Sequence, residues 1–254
     1  MPYLKSDALV LRCRPYSKTS QIVSALTRDY GRRAFLAKGS RRPATPSGAY
    51  DGPLDTLYRG EAVFTPRPGS GLDLLTAFAL TDAHRGAHRS VERFRTAMVV
   101  CELIEKSTAE DDPCPVLLDC AVTIAKRIEA AGDNEALALR VAIGMAVLDN
   151  LGRDPQFDRC VVCARQRPES RSGIVDLEAG GIVCRRCREP GGRRMTLRGD
   201  TLTWLNNLRA DALKSLESPP PEPIIVSQAN RFIGSAIEYL LDRPLYTMMD
   251  RARP

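Results

Sequence analysis

Four cysteines stand in two identically spaced pairs, Cys160 with Cys163 and Cys184 with Cys187, separated by twenty residues. Thiolates at this spacing can hold one side of a tetrahedral ion, and the intervening loop can bring the second pair to the other side. Four sulfur ligands leave no open position for water or substrate. The pattern therefore predicts one structural Zn²⁺ per chain, with two disulfides or buried thiols as the alternative.

Other residues that could do chemistry are few. His84 and His88 lie four residues apart, but Gly86 between them weakens a helix, so we expect a solvated surface pair. Asp111 and Asp112 could hold a cation, although a loop leading into a helix is the simpler interpretation. Glycine-rich phosphate loops and Gly-x-Ser-x-Gly motifs are absent from the sequence, and two histidines offer few general bases. We therefore expect a protein that is not an enzyme.

The composition is that of a globular chain: 254 residues, 43% hydrophobic and 27% charged, with room for more than one core. Lys5, Asp7 and Arg12 interrupt any apolar run of a signal peptide, and no apolar stretch is long enough to span a membrane. The four cysteines outside the pairs show no paired spacing. They predict reduced, mostly buried thiols and a cytoplasmic location.

Positive charge is concentrated in two segments. Residues 1–80 contain twelve Lys/Arg against six Asp/Glu, and residues 156–198 contain ten Arg against five Asp/Glu. Since the whole chain carries a net charge of +6, the rest is acidic. Two basic segments on an acidic body favour a polyanionic partner, most commonly nucleic acid, and a basic face kept for solubility is the alternative.

The first 80 residues read as β-structure. Strand patterns cover residues 3–12, 21–27 and 31–38, a strand pair covers 54–65, and residues 72–80 form a last strand or begin a helix. Five short strands joined by Gly/Pro loops predict a small closed barrel of the OB-fold type.

Helical periodicity begins near Thr81. It covers residues 91–106, 114–131, 135–151, 200–216 and 226–241. We therefore predict an α+β protein with three parts. They are an OB-fold domain (1–80) that would bind the polyanionic partner, an α-helical bundle domain (81–155 and 193–254), and a four-cysteine zinc-binding loop inserted into it (156–192).

The N-terminal segment also carries a recognisable run. It reads Arg-Pro-Tyr-Ser-Lys-Thr-Ser over residues 14–20 and Leu-Ala-Lys-Gly-Ser-Arg-Arg over 36–42. Together with the helix running into Cys160 and the Tyr-Leu-Leu-Asp-Arg-Pro-Leu end at 239–245, it resembles the bacterial recombination mediator family RecO. The order of the motifs matches over nearly the whole chain. Lys18, where the family often has an acidic residue, departs from the pattern.

The resemblance implies a function in DNA repair through the RecF pathway. A protein of this family would bind single- and double-stranded DNA and anneal complementary strands. Its partners would be RecR and single-stranded-DNA-binding protein, and its task would be to load RecA onto covered strands. It would act in the bacterial cytoplasm, in association with the nucleoid.

Within that hypothesis, cationic side chains of the N-terminal segment are the candidate DNA ligands, because guanidinium groups fork onto phosphates and lysine supplies a point charge. The predicted DNA-binding residues are Lys38, Arg41, Arg42, Arg32, Arg33, Arg14 and Tyr16. Tyr16 and Tyr50, beside loops, are the better candidates for base stacking, whereas Phe35 and Phe64 are expected in the core. The arginines beside the second cysteine pair either extend this surface or only solubilise the loop.

Two other classes remain open from the sequence. A zinc-ribbon enzyme that processes nucleic acid would need carboxylates near a basic groove, and none stands out. A purely protein-binding adaptor would use its basic surface for acidic tails and would bind short oligonucleotides poorly at moderate salt.

Overall fold

The computed structural model describes residues 3–45, 48–215 and 217–247. The chain divides into two compact units, Met1–Ala130 and Ala131–Pro254. Each unit has secondary structure of its own. The narrower boundaries expected from the sequence, at residues 80, 155 and 192, stay a prediction.

The first unit begins with a closed barrel. Its strands are β1 (Leu4–Pro15), β2 (Gln21–Thr27), β3 (Gly31–Ala37), β4 (Arg59–Thr65) and β5 (Asp73–Asp82). They close in the order β1-β2-β3-β5-β4, with β3 and β5 parallel and the other pairs antiparallel. This is the arrangement of a five-stranded OB-type barrel, and it confirms the predicted N-terminal fold.

Alternating side chains of the strands fill the barrel. Ala8 and Val10 of β1, Val23 of β2, Phe35 of β3 and Phe64 of β4 are at most 1% exposed. Phe35 and Phe64 contact each other with ring centroids 5.1 Å apart, which confirms both as core residues.

The expected strand pair over residues 54–65 is one strand. Only Arg59–Thr65 pairs in the sheet, whereas Leu54 and Leu57 are buried in the connection before it. Leu57 has φ of 66°, a left-handed conformation that cannot continue a strand. Its apolar character reflects burial and not strand pairing, which is why the sequence pattern was misleading here.

Two helices complete the first unit: α1 (Val91–Ser107) and α2 (Pro115–Ile128). The Ser90 side chain accepts a hydrogen bond from the Arg93 backbone N–H and caps α1. Proline occupies the first position of α2, where its missing N–H costs nothing.

His84 does not form a solvated pair with His88, so that expectation was wrong. His84 is 1% exposed, and its Nδ1 lies 3.0 Å from Glu129 Oε1. Its φ of 43° reverses the chain before a short 3-10 turn (Arg85–Arg89), so no helix spans both histidines. His88 is exposed beside Phe94, with ring centroids 5.6 Å apart.

The second unit is built on helices α3 (Asp133–Asn150), α4 (Gly199–Ala210), α5 (Ala212–Ser215) and α6 (Pro223–Leu241). The helix expected over 200–216 is interrupted at Asp211, which has an extended backbone, and Leu216 lies outside the described residues. In α3, Gly144 makes room for Ile233 of α6, because an added Cβ there would overlap the Ile233 side chain.

Between α3 and α4 the chain forms the cysteine-containing segment and a small antiparallel sheet. Its strands are β6 (Gly173–Asp176), β7 (Gly181–Val183) and β8 (Arg194–Leu197), in the order β7-β6-β8. Asp176 accepts a hydrogen bond from Arg194 Nε at 2.7 Å. Together with the backbone N–H groups of Glu178 and Ala179, this bond holds the β6–β7 turn.

Among the described residues, no helix combines the length and apolar character needed to cross a bilayer.

Candidate nucleic-acid interface and metal centre

One end of the barrel is formed by the last residue of β1, the first of β2 and the last of β3. The register pairs Pro15 with Gln21, and Gln21 with Ala37. The loop of residues 16–20 and the chain that follows Ala37 therefore emerge side by side. In OB-folds the loop between the first two strands commonly contacts oligonucleotides.

Hydrogen bonds tie these two loops together. The backbone N–H of Arg41 donates to the Thr19 carbonyl at 3.1 Å, and the Arg41 guanidinium donates to the Ser17 carbonyl at 3.1 Å. The backbone N–H of Gly39 donates to the Ser20 hydroxyl at 3.4 Å. Gly39 has φ of 79°, the left-handed conformation that lets β3 turn sharply into the loop.

A buried polar group supports the loops from below. Gln21 Oε1 accepts from the Ser40 hydroxyl at 2.9 Å and from the Leu54 backbone N–H at 3.0 Å. Gln21 Nε2 donates to the Leu54 carbonyl at 2.9 Å. Because all three residues are buried, these bonds are shielded from water and hold the loops in one arrangement.

Five of the predicted DNA-binding residues lie exposed on these two loops and the adjoining strand end. We call them the rim patch: Arg14, Tyr16, Lys38, Arg41 and Arg42. Tyr16 is 61% exposed, so its ring face is open for stacking. Within the described residues, no carboxylate forms an ion pair with any of the four cations of this patch. Their charge is therefore free for an external anion.

Arg32 and Arg33 have carboxylate partners in the first unit. Arg32 lies 3.5 Å from Glu110, and Arg33 lies 3.2 Å from Asp73 and also pairs with Asp111. Both guanidinium groups are only about one-fifth exposed. The structure thus separates them from the rim patch in environment, and their contact with DNA stays a prediction.

Tyr50 is not available for stacking, so that expectation was wrong. It is 8% exposed, and its hydroxyl donates to the Leu75 carbonyl at 2.6 Å. Burial raises the pKa of this hydroxyl to about 12. The turn-rich sequence around Tyr50 suggested a surface loop, but the loop folds its tyrosine into the barrel core.

The four paired cysteines converge in the second unit. Their Sγ atoms all lie within 4.8 Å of one another, and those of Cys163 and Cys184 are 3.8 Å apart. Tetrahedral coordination with metal–sulfur bonds of about 2.3 Å would place sulfurs about 3.8 Å apart. A disulfide needs sulfurs at about 2.0 Å, and all four cysteines are free. The cluster can hold a metal ion and fits zinc.

Backbone N–H groups point at the sulfurs. Burial raises the pKa of Cys160, but hydrogen bonds from the backbones of Cys184, Cys163 and Val162 outweigh it and lower the pKa to about 6. Hydrogen bonds from the Cys187 thiol to Cys163 and Cys184 raise the pKa of Cys187 to about 12. A hydrogen bond from the Cys187 backbone is the main cause that lowers the pKa of Cys184 as well. The cluster thus favours thiolate at Cys160 and Cys184 and opposes it at Cys187, and a cation at the centre would relieve this conflict.

The cysteines outside the cluster have raised thiol pKa values where a shift is resolved. Burial is the main cause that raises the pKa of Cys13 to about 12, of Cys120 to about 11, and of Cys101 still further. Such thiols are protonated packing groups, as the sequence predicted for most of them. Cys114 is only partly buried.

Sequence reasoning missed the residues that position the rim patch. They are Ser17, Ser20, Gln21 and Ser40, whose hydrogen bonds within the chain set the geometry of both loops. Small polar residues beside strand ends are common, and only their proximity in space distinguishes these four.

An OB-type barrel, helices and a four-cysteine cluster that can hold a metal ion form the architecture that the resemblance to the RecO family implies. Family models agree: "Recombination protein O N terminal" matches residues 1–84 and "Recombination protein O C terminal" matches residues 88–248. The chain belongs to the RecO family.

Curated relatives are consistent with this. The chain is 36% identical to the DNA repair protein RecO of Rhodopirellula baltica over 85% of this chain and 76% of that one. It is 27% identical to the DNA repair protein RecO of Moorella thermoacetica, over 96% and 89% of the two chains. Against the protein of that name from Bacillus subtilis it is 27% identical over 79% and 75%.

Proposed function

We propose that this protein is a recombination mediator that binds DNA, anneals complementary strands and performs no covalent chemistry. The observation that carries the proposal is the rim patch. Four cations without internal carboxylate partners and one exposed tyrosine are held by two mutually bonded loops at the end of an OB-type barrel. Such a surface suits a sugar-phosphate chain.

Annealing needs two anionic strands to approach while their bases stay free to pair. Arg14, Lys38, Arg41 and Arg42 neutralise phosphates and do not engage base edges, and Tyr16 offers a sequence-tolerant stacking face. Since the Ser17 carbonyl already engages one guanidinium N–H of Arg41, that side chain is oriented before DNA arrives. Binding should therefore show weak sequence preference and strong dependence on salt.

In this proposal the four-cysteine cluster holds one structural Zn²⁺. Cys160, Cys163, Cys184 and Cys187 would supply all four ligands, which leaves no position for a reacting molecule. When bound, the ion would cross-link the two cysteine pairs. The chain's own N–H groups hold the thiolates, and the small β6–β7–β8 sheet carries the second pair.

By membership in the family, we infer that the chain acts with RecR and with single-stranded-DNA-binding protein to load RecA onto covered strands. A cytoplasmic, nucleoid-associated location follows from the proposed DNA substrate.

The test is the triple variant K38A/R41A/R42A beside a control that removes the same charge elsewhere in the first unit, R85A/R89A/K126A. All six side chains are exposed. We expect the rim variant to lose annealing and to bind oligothymidylate more weakly, with a salt slope smaller by about 2, since each phosphate contact on a single strand contributes about 0.7. The control should resemble the wild type.

Unchanged annealing by the rim variant, with its fold verified by circular dichroism, would remove the site. Cleavage of labelled strands by the wild type with Mg²⁺ would favour the zinc-ribbon enzyme. If the wild type does not bind oligonucleotides at moderate salt, the result would favour a purely protein-binding adaptor.

A further inference from the structure

The turns that carry the cysteine pairs also present arginines to solvent. Arg185 and Arg186 lie between Cys184 and Cys187, Arg188 follows directly, and Arg165 follows the first pair. All four arginines are exposed. We call them the knuckle arginines.

Local structure brings the knuckle arginines around one centre. The Cys160 backbone N–H donates to the Arg165 carbonyl at 2.9 Å, which fixes Arg165 beside the first pair. The Cys187 N–H donates to the Cys184 carbonyl at 3.1 Å, closing the turn that holds Arg185 and Arg186. Since the four sulfurs lie within 4.8 Å of one another, both turns surround the same point.

Other arginines of this segment serve the fold. Arg194 is paired with the buried Asp176 at 2.7 Å, and Arg167 donates to the Phe157 carbonyl at 3.0 Å. By contrast, the ion pairs within the described residues include no carboxylate bound to a knuckle arginine. Internal ion pairs within the described residues therefore do not explain the charge of the knuckle arginines.

Compensation of the metal cluster does not explain them either. Four thiolates and one Zn²⁺ sum to two negative charges. Residues 156–198 contain ten arginines against five carboxylates, a surplus larger than the cluster can neutralise. Positive charge remains after the metal is bound.

The side-chain types around the knuckle arginines indicate which kind of ligand this surface can bind. All of its cations are arginines, whose planar forks match phosphate oxygens. The large apolar side chain exposed on these turns is Val162, so the surface lacks the apolar pockets that anchor an acidic peptide. A sugar-phosphate chain needs only the cations.

We propose that the knuckle arginines form a second phosphate-binding surface that holds a second nucleic-acid strand while the rim patch holds the first. The inference rests on the proposed annealing function and extends it, since annealing requires two strands on one protein. The two surfaces belong to different compact units, so different substitutions remove their charge.

The experiment uses the full, metal-loaded chain and two oligothymidylates, one with a donor dye and one with an acceptor dye, which cannot pair with each other. The variant is R185A/R186A/R188A. The matched control R171A/R231A/R243A removes three exposed arginines of the same unit away from the turns. At a ratio of one protein chain to two strands, energy transfer between the dyes reports that the second strand is bound. Metal content and circular dichroism report whether the variant is folded.

We expect the knuckle variant to bind the first strand as the wild type does and to weaken second-strand capture about tenfold or more, with the control unchanged. Unaltered energy transfer in the knuckle variant, or an equal loss in the control, overturns the proposal. So does a knuckle variant that keeps second-strand capture but no longer binds polyglutamate, which assigns the surface to an acidic protein. A failure of the proposed function gives a different result. In that case the rim variant K38A/R41A/R42A would bind the first strand as tightly as the wild type does.

Discussion

Ser40 donates its hydroxyl to the side-chain oxygen of Gln21 at 2.9 Å, although the two residues belong to different elements and are 19 positions apart. This bond, together with the two that Gln21 makes to the Leu54 backbone, connects the start of β2 to both segments that follow β3. The exposed rim patch thus depends on a buried amide.

Replacing Gln21 by leucine should disorder the rim patch. The change keeps the side-chain volume but leaves the Leu54 N–H and the Leu54 carbonyl without their partner, a cost of about 1–3 kcal/mol for each unsatisfied buried group. The Ser40 hydroxyl keeps its bond to the Ala37 carbonyl but loses the one that joins it to β2. We expect a lower free energy of unfolding and faster amide hydrogen exchange over residues 38–42 and 54–58. Ser70→Ala, at an exposed loop hydroxyl, is the control. Wild-type exchange in Gln21→Leu would show that the amide does not hold the loops.

Alanine substitutions at Arg33 and at Lys38 should have opposite effects on stability and on oligonucleotide affinity. Arg33→Ala leaves Oδ2 of the buried Asp73 without its ion-pair partner, although Oδ1 keeps its bond from the Arg67 N–H. The free energy of unfolding should therefore fall by about 1–3 kcal/mol while oligonucleotide affinity stays the same. Lys38→Ala, at an exposed side chain, should weaken binding at unchanged stability. Fluorescence anisotropy and urea unfolding measure the two quantities. A loss of affinity in Arg33→Ala at unchanged stability would place Arg33 in the DNA interface, as the sequence predicted.

Loss of one cluster thiol should release the metal. In Cys163→Ser the hydroxyl is a far weaker ligand than a thiolate, so bound zinc should fall from one equivalent per chain to near zero, measured with a chelating dye. Residues 156–192 should then become protease-sensitive. Cys114→Ser, which removes a thiol outside the cluster, should keep its metal. Stoichiometric zinc in Cys163→Ser would refute four-sulfur coordination.

A methyl group at Gly144 should destabilise the second unit. It would overlap the β-branched Ile233 side chain of α6, and such overpacking costs about 1–3 kcal/mol, more than helix propensity returns. The control is Gly132→Ala at the start of α3, where an added Cβ meets nothing within 4 Å. Thermal unfolding should show a lower Tm for Gly144→Ala than for Gly132→Ala. The reverse order would mean that α3 and α6 pack differently.

Local patterns were sufficient for the barrel strands β1, β2 and β3, for the helices α1, α2, α3 and α6, and for the cysteine pairs. In each case the information lies in spacing along the chain: period two for strands, period 3.6 for helices, and two residues between thiols. The same local reasoning failed at Leu54 and Tyr50, whose burial depends on the barrel that folds over them. It failed at His84 because a single left-handed residue redirects the chain.

By its sequence alone, the chain was assigned an OB-type barrel, a helical part, a four-cysteine cluster and the RecO family. Residue types and periodicities indicate the first three properties directly, whereas the family rests on the resemblance of short motifs and on their order along the chain. Which cations face solvent was decided only in three dimensions. Arg33 and Lys38 are five residues apart and chemically alike, but one lies against carboxylates contributed by distant parts of the chain and the other lies on an open loop. The free charge of a side chain depends on what the fold places beside it, and no local pattern records that.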